Sequence, residues 1–278
     1  MSTSLAGVWT ALVTPFQDQV LDLKSFERIV EYQLDSGIRH FVLAGSTGEG
    51  SQLETRERKV LFDCFRSISP RESILFLATG SIQPTETLAQ SLQAQDWGAD
   101  GVLVSTPPYT RPPQRGLIDY FWNLADQLAC PIFLYDVPAR TGVRLEIGSI
   151  EKLFEHPRIV GIKDATGDMK LLQQIQMKFK KSKVFLSGED ATYSEFLANG
   201  GHGIISVASH VFPRDFLQPG SKSLADFLKI ISRESNPMGI KMALYLVGLL
   251  TSPELRPPLV RFSEQASLAL KEFLLDEQ

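Results

Sequence analysis

Lys163 ends an apolar run, Ile159-Val160-Gly161-Ile162, that Gly167 closes. A lysine at a buried strand end is rarely left without a partner, and desolvation disfavours its ammonium form. Such an amine is nucleophilic enough to form a Schiff base with a carbonyl compound. A lysine snorkelling into solvent is the alternative this stretch leaves open. Tyr135 ends the preceding apolar run, where its hydroxyl either anchors at a rim or shuttles protons for a nearby amine. The turn Gly45-Ser46-Thr47-Gly48-Glu49-Gly50 offers hydroxyls and backbone N–H groups to a carboxylate. It also reads as a tight turn in which glycine supplies positive φ. Arg140 follows a turn; its planar fork suits bidentate binding of a carboxylate or a surface ion pair.

Eight short apolar runs would position these groups: 8–13, 40–44, 74–78, 101–104, 131–135, 159–162, 183–186 and 203–207. Most are continuous rather than alternating, as in parallel strands covered on both faces. Amphipathic segments lie between them. Phe26, Ile29, Val30 and Leu34 keep helical spacing, with Asp22 or Ser25 as cap and Gly37 as stop. Val60, Leu61 and Phe65 repeat the pattern, which makes the charge run 56–59 that helix's solvated face. Pro84 suits a first helical turn and Gly98 an end. Strand then helix, repeated eight times, is the α/β pattern of a (β/α)8 TIM barrel. An open doubly wound sheet fits less well, because no G-x-G-x-x-G follows the first strand. The expected organisation is a barrel over 1–220, then the last barrel helix and a short C-terminal helical appendage over 221–278.

In such a barrel the C-terminal ends of the strands converge on one face, where active sites lie. Those ends carry many hydroxyls and few metal ligands. His40, His156, His202 and His210 are scattered, and Cys64 and Cys130 are not in C-x-x-C spacing, so no metal site is expected. The absence of a G-x-S-x-G elbow argues against a serine hydrolase. A net charge of −4 and a pI near 5.7 give no broad electrostatic case for nucleic acid or an anionic membrane. No apolar run approaches the ~20 residues that span a bilayer. The first residues lack the basic and apolar regions of a signal peptide, and a cytoplasmic protein is expected.

With these residues laid out, the chain resembles the dihydrodipicolinate synthase / N-acetylneuraminate lyase family of class I pyruvate-dependent aldolases. The resemblance runs from Gly7-Val8-Trp9-Thr10-Ala11-Leu12-Val13-Thr14-Pro15-Phe16 to the C-terminal helices. Gly45-Ser46-Thr47-Gly48-Glu49 looks like the family's pyruvate-carboxylate loop and Gly161-Ile162-Lys163 like its Schiff-base strand. Tyr135-Asp136-Val137-Pro138-Ala139-Arg140-Thr141-Gly142 is similar to the synthase branch. The resemblance implies that Lys163 forms an imine with pyruvate and that Tyr135 is the general acid/base. Tyr135 would be linked through Ser46 to Tyr109, which crosses from a neighbouring subunit in a homodimer or homotetramer. It further implies that Ser46 and Thr47 hold the pyruvate carboxylate, and that Arg140 attracts the carboxylate of L-aspartate 4-semialdehyde. Ile205 would offer its backbone carbonyl and Gly188 would line the pocket. No cofactor is implied, and the product would be 4-hydroxy-tetrahydrodipicolinate, for lysine and diaminopimelate biosynthesis.

The alternatives are another pyruvate aldolase, such as N-acetylneuraminate lyase or a 2-keto-3-deoxy-sugar-acid aldolase, and a non-catalytic keto-acid binder. Arg140 separates the aldolases, and Lys163 with Tyr135 counts against a pure binder. Some positions depart from the family pattern. Ser46 stands where synthases usually have threonine, and Asp136 and His210 replace asparagines. The stretch 216–236 is shorter than its family equivalent. Thr55, Arg58, Ile82 and Pro108 replace contacts to feedback lysine, although Glu86 remains; weak or absent lysine inhibition is expected.

Overall fold

Continuous runs of Val, Ile, Leu and Phe form strands buried on both faces. The computed structural model describes residues 5–218 and 223–276. Its strands are β1 Gly7–Ala11, β2 Phe16–Gln17, β3 Val20–Leu21, β4 His40–Leu43, β5 Ile74–Ala78, β6 Gly101–Ser105, β7 Ile132–Asp136, β8 Ile159–Asp164, β9 Val184–Ser187 and β10 Gly203–Ser206. The eight longer strands form a closed barrel in the order β1-β10-β9-β8-β7-β6-β5-β4. Each coincides with one of the eight apolar runs to within two residues at either end. The hairpin β2–β3 is an addition to the expected pattern. It pairs Phe16 with Leu21 and Gln17 with Val20, and its two turn residues, Asp18 and Gln19, both have positive φ. Such turns normally announce themselves with glycine. Here the N–H groups of Asp18 and Gln19 each donate to the Glu254 carboxylate at 2.8 Å instead.

The chain divides into two compact units. One consists of Ile74–Ile205 with the segment up to Gly7. Its strands β5 to β9 are parallel neighbours in chain order. Between them run the helices Pro84–Trp97, Gln114–Gln127, Ile147–Phe154 and Met169–Phe179. Pro84 occupies the first turn of its helix and Gly98 ends it at φ 89°, as the sequence indicates. Asp168 caps Met169–Phe179 by accepting from the N–H of Leu171 at 3.0 Å, which satisfies one orphan donor of the first turn.

The other unit combines Val8–Ser73 with Ser206–Gln278. Here β1 and β4 pair in parallel, Thr10 opposite Phe41. Asp22, rather than Ser25, caps the helix Leu23–Asp35, which buries Phe26, Ile29 and Val30. Glu54 and Glu57 form a capping box at the start of Thr55–Ile68. The charge run 56–59 is not wholly a solvated face. Lys59 does pair with Asp63 at the surface, but Arg58 is buried and donates to the carbonyl of Gly50 at 2.6 Å. A guanidinium aimed at a buried carbonyl overrides the polar pattern, because that carbonyl needs a donor. The C-terminal helices described are Pro213–Leu217, Ser223–Ile231, Met238–Leu246 and Glu264–Asp276. The apolar pattern of the third continues to residue 250, yet the helix stops at Leu246, and Gly248 follows at φ 80°. The expected barrel–appendage boundary at 220, and part of the stretch 216–236, lie outside the described residues. Cys64 and Cys130 are free thiols, and no helix among the described residues is long and apolar enough to cross a membrane.

Candidate functional site

Lys163 and Tyr135 are opposite each other across the β7–β8 ladder, which puts both side chains on the same face. Lys163 is only 5% exposed, and its Nζ lies 4.4 Å from the centroid of the Tyr135 ring. That distance is within cation–π range. Gly188, just past β9, donates its N–H to the carbonyl of Asp164 at 2.7 Å. A Cβ at Gly188 would come within 2.8 Å of the Ala165 Cβ and 3.1 Å of the Lys163 Cε. Glycine is therefore what lets the lysine stem pass. The fold thus brings Lys163, Tyr135 and Gly188 together. A nearly buried primary amine against a phenol is a suitable arrangement for carbonyl chemistry through an imine.

Arg140 lies in the single helical turn Pro138–Thr141 that follows β7. Tyr109 donates its N–H to the carbonyl of Thr141 at 3.2 Å, while Thr106 donates to the Thr141 hydroxyl at 2.9 Å. These bonds tie the loop after β6 to the loop after β7. Tyr109 itself is 86% exposed and sits at φ 74°, a conformation that costs energy for a non-glycine residue. Among the described residues its side chain makes no hydrogen bond with Lys163 or Tyr135. Ile205 is buried in β10, next to Ile204, which pairs with Ser187. Glu189, which the sequence alone does not single out, is an acid held near the cations. Burial pushes its carboxyl up and Asp190 adds to this, while the charges of Lys163 and Arg140 pull it back down.

Immediately after Tyr135 and Lys163 the same two strands carry Asp136 and Asp164, again opposite each other. Asp136 is fully buried. Its Oδ2 accepts from the N–H of Leu145 at 3.1 Å, whereas Oδ1 has no partner. Burial pushes its carboxyl up to about 7; the Leu145 N–H opposes that rise and the Asp164 charge adds to it. Burial raises Asp164 as well, against a 2.8 Å bond from the N–H of Thr166. Paired buried acids of this kind cannot both ionise cheaply.

Ser46 and Thr47 belong to the other unit and sit in the turn after β4. The expectation that its glycines supply positive φ is overturned. The positive values belong to Ala44 (56°) and Glu49 (51°). Gly48 and Gly50 are required for close approach instead: a Cβ on Gly48 would reach 2.8 Å from the Leu12 carbonyl oxygen, and one on Gly50 would overlap that of Ala44. The N–H groups of Glu49 and Gly50 are spent within the turn, on the carbonyls of Ser46 and Gly45.

The turn is anchored from below. The Glu49 carboxylate is fully buried in an ion pair with the equally buried Lys241, and its Oε2 accepts from the N–H of Arg256 at 2.8 Å. Lys241 also donates to the carbonyl of Glu254 at 2.7 Å and lies 4.5 Å from the Phe16 ring. Burial lowers the Lys241 ammonium to about 8, with Glu49 pulling the other way. Thr14 donates to the Gly48 carbonyl at 2.6 Å, and Asn236 donates from Nδ2 to the Thr47 hydroxyl at 2.8 Å. The sequence alone singles out neither Lys241 nor Asn236. No group of three or more His, Cys, Asp or Glu among the described residues is arranged to hold a metal ion.

Comparison with known proteins places the chain among relatives along nearly its whole length. It is similar to a 4-hydroxy-tetrahydrodipicolinate synthase of Bdellovibrio bacteriovorus, at 39% identity over 279 residues and 95% of each chain. Among solved structures it resembles a monomeric dihydrodipicolinate synthase variant, at 32% identity and a TM-score of 0.92, covering 98% of this chain and 96% of the other. It is equally close to a chloride-inhibited dihydrodipicolinate synthase from Acinetobacter baumannii complexed with pyruvate, at 32% identity and a TM-score of 0.92, covering 98% and 99%. The family model for the dihydrodipicolinate synthetase family matches residues 4–277. A barrel strand that sets a buried lysine against a tyrosine agrees with that match, and the chain belongs to the dihydrodipicolinate synthetase family.

Proposed function

We propose that the protein is a lyase with 4-hydroxy-tetrahydrodipicolinate synthase activity, condensing pyruvate with L-aspartate 4-semialdehyde in lysine and diaminopimelate biosynthesis. The observation that carries this reading is the buried Lys163 amine, 4.4 Å from the Tyr135 ring, in a chain of this family.

The Lys163 amine attacks the keto carbon of pyruvate, and loss of one water gives a protonated imine. That imine is an electron sink, so a methyl proton leaves and an enamine forms. The enamine carbon bonds to the aldehyde carbon, and the aldehyde oxygen takes up a proton to become a hydroxyl. The amino group of the semialdehyde then attacks the imine carbon, closing the ring and releasing Lys163. Tyr135 relays the protons, with Ser46 and the Tyr109 of a second copy of the chain continuing the relay. Donors preorganised around developing charge are the main source of rate in such sites. Ser46 and Thr47 hold the pyruvate carboxylate, and Arg140, itself exposed in the turn after β7, attracts that of the semialdehyde. Gly188 keeps room for the imine, and Ile205 offers its carbonyl to the substrate amine.

The exposure and held backbone of Tyr109 suit a side chain that completes a neighbour's site in a homodimer or a homotetramer. The enzyme works in the cytoplasm, with 1–220 as its catalytic barrel and 221–278 as the closing helix and appendage. To test the function, the protein is incubated with pyruvate and borohydride, the adduct is mapped, and turnover is measured with aspartate semialdehyde beside N-acetylneuraminate. An adduct on Lys163 with semialdehyde turnover is expected. No adduct would overturn the aldolase reading, and cleavage of the sugar acid alone would move the activity to a sialic acid lyase.

A further inference from the structure

A hydroxyl that binds a carboxylate must point its single proton at the anion, yet a threonine side chain can equally present a lone pair. Thr47 is 3% exposed, and the turn that carries it is held by buried contacts. Glu49 is locked by Lys241 and the Arg256 N–H, Gly48 by Thr14 and Gly50 by Arg58. With the backbone pinned, the direction of the O–H bond is the remaining freedom. Asn236, far along the chain, donates from Nδ2 to the Thr47 Oγ1 at 2.8 Å. One lone pair is then occupied, and the Thr47 proton cannot lie along that axis. Among the described residues no acceptor takes that proton.

We propose that Asn236 is a positioning residue that turns the Thr47 hydroxyl into a committed proton donor for the carboxylate of the keto-acid substrate. The inference rests on the function proposed above and assigns a role to a residue outside the strand-end loops. Its logic is polarity. An amide N–H behind the hydroxyl pushes the hydroxyl's proton forward and polarises it, and a hydrogen bond to a charged acceptor is among the stronger ones. A carboxylate in place of the amide would reverse the sense: it would accept the Thr47 proton and add a negative charge beside the substrate's own.

The test measures KM for pyruvate and kcat at saturating semialdehyde for the wild type, Asn236→Ala, Asn236→Asp, Thr47→Val and the Thr47→Val/Asn236→Ala double variant. Asn236→Ala is expected to raise the pyruvate KM about tenfold, the size of one charged hydrogen bond, with kcat within about threefold. Asn236→Asp, which keeps the side chain's shape, is expected to raise it further. The decisive comparison is the double variant, whose KM should match that of Thr47→Val, because residues acting through one another are not additive. Additive effects, or a wild-type KM in both Asn236 variants, would overturn the inference. Asn236→Asp keeps the comparison available if the alanine variant does not fold. A wild type that forms no Lys163 adduct with borohydride would instead strike the proposed function.

Discussion

Asp136 offers the most direct quantitative test of the electrostatics beside the lysine. Its carboxyl rises from 3.8 to about 7, chiefly through burial. Between those two values the native state holds a proton that the unfolded chain has released, so wild-type stability falls as pH rises through the window and levels off above 7. A rise of that size corresponds to about 4 kcal/mol. The substitution Asp136→Asn keeps an oxygen for the Leu145 N–H and removes the titration. Its new amide hydrogens stand where Oδ1 has no partner, at a cost of about 1–3 kcal/mol. Two consequences follow. Above pH 7 the variant is expected to be the more stable by about 1–3 kcal/mol, or roughly 2–10 °C in Tm. Below pH 4 it is expected to be the less stable by about 1–3 kcal/mol, the amide cost alone. Thermal melts followed by circular dichroism from about pH 4 to about pH 8.5, the range that brackets the titration, would show the two Tm curves crossing. A constant difference over that range would refute the reasoning, because it would mean that Asp136 is ionised alike in the folded and unfolded chains.

Other substitutions test the packing and the anchors. Gly188→Ala drives a methyl group towards Ala165 and the Lys163 stem; overpacking of about 1–3 kcal/mol is expected, with kcat lowered about tenfold or more and a slower borohydride-trapped adduct. Lys241→Met leaves the Glu49 carboxylate buried without its cation and is expected to cost about 3–5 kcal/mol in a denaturant titration. Adding Glu49→Gln should restore most of that loss, and a double variant no better than the single one would contradict the pairing. Lysine up to the millimolar range is expected to inhibit weakly or not at all: Glu86 already accepts from Ser81 and Gln90, and a steep sub-millimolar inhibition curve in a coupled assay would sink this expectation.

The barrel is legible in the sequence because most of its strands are continuous apolar runs, a signal carried by adjacent positions. Lys163 and Tyr135 can be placed for the same reason: each ends such a run, and the β7–β8 register then sets them opposite each other. What escapes is information that adjacent positions do not carry. The Glu49–Lys241 pair and the Asn236–Thr47 bond join residues 192 and 189 positions apart, and no periodicity links them. Arg58 looks like part of an exposed charge run because its acceptor is a backbone carbonyl, which leaves no mark in composition. The glycines of the turn after β4 carry a different reason from the one their residue type suggests. A sequence shows that a side chain is missing but does not distinguish a need for positive φ from a need for space beside Leu12 and Ala44. Asp136 stands out in the sequence only as a departure from the family pattern; its full burial, with Asp164 opposite adding to the effect, supplies a physical account of what that departure costs.

The composition of the second unit bears on how the chain is made. That unit joins Val8–Ser73 to Ser206–Gln278, and the stretch between them belongs to the first. During synthesis at about 5–20 residues per second, the earlier segment therefore waits roughly 7 to 26 seconds before its partner begins to appear. Through that interval Phe26, Ile29, Val30 and Phe65, all buried in the finished protein, lack the later half of their unit, and Glu49 lacks Lys241. The segment Ile74–Ile205, continuous and internally paired from β5 to β9, suffers no such delay. Nascent-chain capture by a holdase would thus concentrate on Val8–Ser73, and a circular permutation that brought the two ends of the second unit together would shorten its exposure.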